Sequence, residues 1–285
     1  MSRRSNGDFS NQNLLLMGAG LVAAFFIMRK VRQGAATVGG YLSPEGTVKK
    51  DGVSYVSEGY VKNISFSPET ILSKNPRFKT EPMADRSYAI KLFGGKVVDA
   101  APYPYTLEGF QKFLDDSGVN RQWSSAFELA KVNKPDVGAR FGYTLFLPPQ
   151  VWWPKAAALA LMQNRIREKV GAPVVINNWW RPAGYNEAVG GKTKGDHPDG
   201  DALDLNFRNP GEKWVGAKYV HDISQSEPSL AVSLGIYSSE TVLHTGLQSS
   251  KGKRTWDYRK GEGTGARITS DVIARGLAQT GKSAA

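Results

Sequence analysis

Cysteine is absent from this 285-residue chain, and histidine occurs only three times. Without cysteine there is neither a disulfide framework nor a thiolate metal site, so any metal ion must be held by His, Asp or Glu. Acidic residues are also scarce, because 26 Asp and Glu stand against 37 Lys and Arg and leave a net charge of +11. Such a surface attracts phosphate backbones, acidic lipids or acidic wall polymers, and charge alone does not separate these partners.

Long hydrophobic runs are missing except near the N-terminus, where residues 14–28 read LLLMGAGLVAAFFIM. A helix of this length reaches about 22 Å, which is short of the roughly 30 Å hydrocarbon core of a bilayer. Because Arg-Lys-Val-Arg follows instead of a small-residue cleavage site, the sequence predicts an uncleaved membrane anchor, with a buried or interfacial helix as the alternative. The basic residues Arg29, Lys30 and Arg32 favour a cytoplasmic body by the positive-inside rule.

The rest of the chain has enough apolar residues, 40% overall, to form a folded core. Apolar spacing in 105–133 predicts two helices separated at Ser117-Gly118, and 155–170 predicts a helix that Gly171 ends, followed by a strand in VVINNWW. We expect five parts along the chain: the anchor 1–33, a linker and small β-containing region 34–84, a small mixed α/β region 85–145, a main domain 146–260 and a basic tail 261–285.

The stretch GDHPDGDALDLNF, residues 195–207, raises the possibility of a metal site. His197 and Asp204 are seven residues apart, and two ligands of one tetrahedral ion lie only about 3.5 Å apart, so the chain must fold back between them. The sequence Pro-Asp-Gly-Asp in 198–201 is typical of a turn. Beyond the turn DALDLNF alternates, which predicts a strand with its leucines on the core face and Asp204 on the opposite face.

The order of residues around this stretch is that of a known family. The matching residues are Arg181-Pro182, Tyr185-Asn186, Gly190-Gly191, His197, Gly200, Ala202 and Asp204, followed by His244 after GIYSSETVL and by the basic and Trp residues of KGKRTWDY. Over about residues 148–259 the chain closely resembles the zinc peptidases that include D-Ala-D-Ala carboxypeptidases and L-alanyl-D-glutamate endopeptidases, cell-wall enzymes related to the hedgehog fold.

The resemblance implies an α+β domain, a small antiparallel sheet with flanking helices, behind the membrane helix and the small α/β region. It implies a Zn²⁺ ion held by His197, Asp204 and His244, with a fourth position open for water. Arg181 matches the position that contacts substrate or supports the oxyanion of the transition state. Tyr185 and Asn186 are candidate substrate contacts. His221 lies outside the motif on a predicted helix, where we interpret it as structural.

Two departures from the family bear on activity. Gly195 replaces the family's Ser, with a loss of hydrogen bonding near the site. Relatives carry an acid three residues before or two residues after the last histidine, whereas this chain has Thr241 and Gly246 there. Glu240 is the candidate base, although a straight strand would put it about 13 Å from His244. The sequence does not rank four other carboxylates by distance: Asp196, Asp199, Asp201 and Asp257.

We therefore predict a membrane-anchored zinc peptidase that cleaves the peptides of bacterial peptidoglycan. The alternative is an inactive relative that binds wall material or a partner. A third hypothesis places the chain in a phage virion membrane rather than the bacterial envelope, which would remove the conflict between a cytoplasmic body and a wall substrate. Nucleic-acid binding is the weakest hypothesis, based on eight Lys or Arg against three acids in 251–285.

Overall fold

The structure is a computed structural model, and it describes residues 85–140, 145–148, 150–259 and 268–281 together with the backbone of two short strands. The chain divides into two compact units, 1–64 and 65–285. In the first unit, β1 (Thr47–Lys50) pairs antiparallel with β2 (Val53–Val56). The predicted anchor 14–28 lies outside the described residues. Within the part that is described, no helix is both long and apolar enough to cross a membrane.

Among the described residues of the second unit, five α-helices precede the sheet, and three more lie between or after its strands. Its helices are α1 (Ser87–Leu92), α2 (Leu107–Asp116), α3 (Ala126–Ala130), α4 (Pro135–Arg140), α5 (Trp153–Val170), α6 (Ala183–Ala188), α7 (Pro210–Ser226) and α8 (Ser270–Gln279), with 3₁₀ turns at Gln150–Trp152 and Pro228–Leu230. Its strands are β3 (Val175–Asn178), β4 (Ala202–Asn206), β5 (Ser233–Ile236), β6 (Val242–Gly246) and β7 (Arg254–Asp257).

The five strands form one sheet in the order β3-β4-β6-β5-β7. The first three pairings are antiparallel, as the sequence predicted, but β7 runs parallel to β5. The prediction of an antiparallel sheet is therefore wrong at this edge. After β6 the chain crosses β5 and forms β7 on the far side of it, so the connection is not a hairpin. Local sequence patterns do not encode such a crossing.

Local signals set the helix ends. The two helices predicted in 105–133 are confirmed as α2, capped by Thr106, and α3, which begins with a capping box between Ser125 and Glu128. Gly118, with φ 87°, follows the end of α2. The helix predicted in 155–170 is confirmed as α5, and Gly171 ends it in the left-handed conformation at φ 67°.

One face of the sheet packs on helices and the other carries the polar residues. Leu203, Leu205 and Leu243 are fully buried on the first face, and Thr245 beside them contacts Met162 of α5. Helix α7 packs against both α5 and the strands β5 and β6. The predicted tail 261–285 contains α8, which packs on α7.

The region before the matched motif is part of this core. Phe110 of α2 lies with its ring 4.9 Å from that of Trp153 on α5 and 5.8 Å from that of Trp179 behind β3. Aromatic rings at these spacings stabilise a core beyond their buried area. Residues 85–140 therefore support the helix and the strand that lead into the site.

Candidate metal site

A single row of residues across the sheet builds most of the site. The register pairs Asn178 of β3 with Asp204 of β4, Asp204 with His244 of β6, His244 with Gly235 of β5, and Gly235 with Trp256 of β7. Directly opposed residues on neighbouring strands point to the same face. Strand pairing thus brings together polar side chains that lie up to 66 positions apart in the sequence, from 178 to 244.

The turn 195–201 brings His197 over this row. Gly200 adopts φ 73°, and a Cβ there would lie 2.8 Å from the ring of Trp152, so this position requires glycine for both conformation and space. The indole nitrogens of Trp179 and Trp180 donate to the carbonyl oxygens of Gly200 and Pro198. The predicted turn is therefore confirmed, and two tryptophans hold it against β3.

The three predicted ligands converge on one point. His197 Nε2 lies 3.1 Å and His244 Nδ1 lies 3.2 Å from Oδ1 of Asp204. The three ligand atoms lie within 4.8 Å of one another, and all three residues are buried. Tetrahedral coordination at about 2.0–2.2 Å requires ligand atoms about 3.5 Å apart. The donor set of two imidazoles and one carboxylate therefore fits a divalent metal ion.

The surrounding hydrogen bonds prepare these atoms for an ion. His197 Nδ1 donates to the carbonyl oxygen of Trp179 at 2.7 Å, which leaves the lone pair on Nε2, and that buried nitrogen has no hydrogen-bond partner. Asn178 Nδ2 donates to Oδ2 of Asp204 at 3.2 Å. Such outer contacts fix the orientation and the tautomer of metal ligands.

The electrostatics of the cluster favour a neutral His197 beside a charged Asp204. Burial lowers the pKa of His197. Burial opposes ionisation of Asp204, but His197, His244 and the Arg181 charge outweigh it and hold the pKa of that carboxyl well below its usual value. Burial alone would lower the pKa of His244, but its contacts with Asp196 and Asp204 outweigh burial and raise that pKa above its usual value. Metal binding needs a charged carboxylate and neutral imidazoles; Asp204 and His197 match this requirement, whereas the raised pKa of His244 favours its protonated form.

Arg181 lies at the edge of the cluster, as the sequence predicted. Its Nη2 is 3.4 Å from Oδ2 of Asp204, and its side chain is 12% exposed. Its Nε has no hydrogen-bond partner among the described residues. A guanidinium with a donor left over at the rim of the site is suited to a substrate oxygen.

The other two predicted substrate contacts are engaged within the protein. Tyr185 is fully buried, and its hydroxyl bonds with Asn133 and with the backbone of Lys134. Asn186 is buried and donates to the carbonyl oxygen of Lys192. Their contacts stabilise α6 and the loop after it, so the structure gives no support to a substrate-binding role for either residue.

Glu240 is not brought to the cluster. It is exposed in the connection between β5 and β6, since β6 begins only at Val242, and it is not one of the clustered ligands. Of the carboxylates left unranked by the sequence, Asp201 pairs with Arg86, and Asp257 pairs with Arg259. Glu240 as the base stays a prediction, which its exposed position does not support.

Sequence reasoning missed several residues beside the ligands. Asn178 is a polar residue in an otherwise apolar strand, which was a usable signal. Tyr237 and Trp256 lie with ring centroids 6.3 Å and 4.9 Å from that of His244, and Asp196 contacts the same imidazole. His221 lies on α7 beside Gln225 and is not one of the clustered ligands.

A cleft of about 580 Å³ elsewhere in the second unit is lined by Arg86, Ile90, Val97 and Val151, among others, and by none of the three ligands. It lies next to α1, so this cleft and the metal cluster are different features. The cluster is the stronger candidate for a functional site because its donor atoms are complementary to an ion, whereas the cleft is identified only by its concave shape.

The comparisons with known proteins agree with the geometry. Residues 142–245 match the family model described as Peptidase M15, and this range contains Arg181 and the three clustered ligands. Neither the curated proteins nor the solved structures include a match to the chain. The chain is thus similar to the Peptidase M15 family over residues 142–245, the part in which its sequence resembles the D-Ala-D-Ala carboxypeptidases.

Proposed function

We propose that the second unit is a zinc-dependent peptidase that hydrolyses peptide bonds in bacterial peptidoglycan. The single observation that carries this proposal is the convergence of His197, Asp204 and His244 on one point inside the range that matches the Peptidase M15 family. Three protein ligands are typical of a catalytic zinc site, whereas a structural site is closed by four.

The chain's own residues have defined tasks in this reaction. When bound, the zinc ion would lower the pKa of a coordinated water to about 7 and polarise the scissile carbonyl. Asn178 and the Trp179 carbonyl hold Asp204 and His197 in position. Arg181 would donate to the carbonyl oxygen as negative charge develops on it.

The test begins with the metal content of the purified full chain. We expect about one zinc per chain, as one tetrahedral site requires, and near-complete loss in His197→Ala and His244→Ala. His221→Ala is the matched control, because it removes a buried histidine outside the cluster. Purified peptidoglycan should release peptide fragments with the unaltered protein but not after chelation. A zinc-free protein, or equal zinc in all three variants, would refute the proposal.

A second candidate is a wall-binding relative without activity. The observation that favours it is the absence of an acid at 241 and 246, combined with the exposed position of Glu240. A general base is worth about 10²- to 10⁴-fold in rate. Retention on insoluble peptidoglycan without release of fragments, at full zinc occupancy, would favour this candidate over the peptidase.

The location of the protein follows from the predicted anchor. We propose that residues 14–28 attach it to a membrane, either of the bacterial envelope or of a phage virion, with a peptidoglycan peptide as its substrate and without nucleic acid as a partner. Flotation of the full chain with lipid vesicles, compared with a chain lacking residues 1–33, tests the anchor. Recovery of the protein from purified virions would separate the two locations.

A further inference from the structure

Asp196 is a buried carboxylate on the far side of a metal ligand. Its Oδ2 lies 3.2 Å from His244 Nε2, while the other nitrogen of that imidazole, Nδ1, faces Asp204. The side chain of Asp196 is 1% exposed, and that of His244 is 4% exposed. The two imidazole nitrogens of His244 thus face two different carboxylates in a region closed to solvent.

The carboxylate of Asp196 is itself held from two sides. Arg254 Nη2 lies 2.7 Å from Oδ2, and the hydroxyl of Ser249 donates to Oδ1 at 2.7 Å. Asp196 is therefore held in one orientation by a guanidinium and a hydroxyl.

We propose that Asp196 is a positioning residue for His244, and that its carboxylate accepts the Nε2–H of the imidazole so that Nδ1 presents its lone pair to the ion. The proposal rests on the zinc site proposed above. A neutral imidazole carries one N–H, and the acceptor that takes this proton decides which nitrogen remains free for a metal. The Ser233 hydroxyl also lies 3.5 Å from this Nε2, which is at the limit of a hydrogen bond and makes it a weaker partner than Asp196.

The arrangement also explains how segments outside the matched range contribute to the site. Ser249 and Arg254 follow residue 245, where the match ends. Arg254 belongs to β7, the parallel edge strand, and its guanidinium lies 4.9 Å from the ring of Trp256. Arg254 of β7 thus contacts Asp196, and Asp196 contacts the ligand His244. Through these contacts the edge strand has a role in metal affinity.

The experiment compares Asp196→Asn, Asp196→Ala and the matched control Asp199→Asn in the full chain. Asp199 is a buried carboxylate of the same turn, and its Oδ2 accepts from Ser250 rather than facing a ligand. Zinc affinity is measured by competition with a chelator. The unfolding midpoint of each metal-free variant is measured beside it, and the visible spectrum of the Co²⁺-substituted protein reports ligand geometry.

We expect Asp196→Ala to weaken zinc binding by about 10- to 100-fold and to alter the Co²⁺ spectrum. Asp196→Asn should lose less, because its amide oxygen still accepts the Nε2–H bond. Asp199→Asn should keep the affinity of the unaltered chain even where its metal-free midpoint falls as far as that of Asp196→Ala.

Two results would overturn the assignment. One is equal zinc affinity and an equal Co²⁺ spectrum in Asp196→Ala and the unaltered chain. The other is an affinity loss in Asp199→Asn as large as in Asp196→Ala, which would reduce Asp196 to a stabilising residue of the turn. Failure of the unaltered chain to bind zinc is a separate outcome, because it overturns the proposed zinc site and removes the basis of this assignment with it.

Discussion

Arg181 illustrates how a single side chain at the rim of the cluster can serve both structure and reaction. Its Nη2 supports the Asp204 carboxylate at 3.4 Å, while its Nε keeps an unused donor. Desolvation of a donor without a partner is costly, and natural structures retain such atoms where a ligand later satisfies them. A carbonyl oxygen bound beside the metal would supply the missing acceptor.

We predict that Arg181→Ala lowers the kcat of peptidoglycan hydrolysis by about 10²- to 10³-fold, the loss typical of one oxyanion donor. Zinc content should stay near that of the unaltered chain, because Arg181 is not a ligand. Arg181→Lys is the matched variant: it keeps the charge but loses the planar set of donors, and it should recover only part of the rate. Unchanged kcat in Arg181→Ala with zinc bound would remove Arg181 from the reaction.

Among the elements, β6 shows why the family's acid is missing two residues after His244. A Cβ on Gly246 would lie 2.6 Å from the carbonyl oxygen of Asp201 and would overlap the hydroxyl of Ser233. The turn before β4 lies close to β6 at this point, and the backbone N–H of Leu247 donates to the same Asp201 oxygen at 2.9 Å. No side chain fits at 246 without displacing backbone.

We predict that Gly246→Asp destabilises the fold by about 1–3 kcal/mol, the usual effect of forcing extra volume into a packed site, and that it restores no activity. Gly246→Ala should show most of the same loss, because the clash arises at Cβ. Urea unfolding of the metal-free protein measures both, and a gain in hydrolysis with Gly246→Asp would contradict the prediction. Thr241→Glu is the comparison variant, since position 241 is only partly buried.

Local sequence signals predicted the elements that carry the site, but not the contacts between them. Helix α5, the turn at Gly200 and the alternation in β4 follow from capping, turn and period-two patterns, and the order of motif residues identified the ligands. The role of Asp196 depends on the position of Arg254 in β7. The parallel pairing of β7 with β5 is non-local, so local patterns do not predict that position. Glu240 as the base stays a prediction, because the residue lies between β5 and β6, outside the strand pairing that places the ligands.

At the scale of the whole second unit, a buried charge cluster joins α1 to the motif turn. Arg86 Nη2 and Lys155 Nζ lie 2.7 Å and 3.0 Å from Oδ1 of Asp201, and the side chains of all three are less than 10% exposed. Burial raises the pKa of Asp201 to about 6, against the effect of both cations. Arg86 also donates to the carbonyl oxygen of Leu247, next to the end of β6. Arg86, upstream of the matched range, therefore contacts both ligand-bearing strands at the shared end where β4 begins and β6 ends.

We predict from this cluster that a fragment beginning at residue 142, the start of the family match, does not fold on its own, whereas a fragment of residues 65–285 does. The shorter fragment lacks Arg86 and exposes the faces of Trp153 and Trp179 that Phe110 covers.

In the full chain, Arg86→Ala should lower the free energy of unfolding by about 3 kcal/mol, because it leaves a buried carboxylate with one cation fewer. Lys112→Ala is the control, since its ion pair with Asp116 is exposed and worth about 1 kcal/mol or less. Circular dichroism with thermal unfolding measures all four proteins. A cooperative transition in the fragment from 142, at the temperature of the longer one, would show that the matched range is a complete domain and that the upstream helices are dispensable for the metal site.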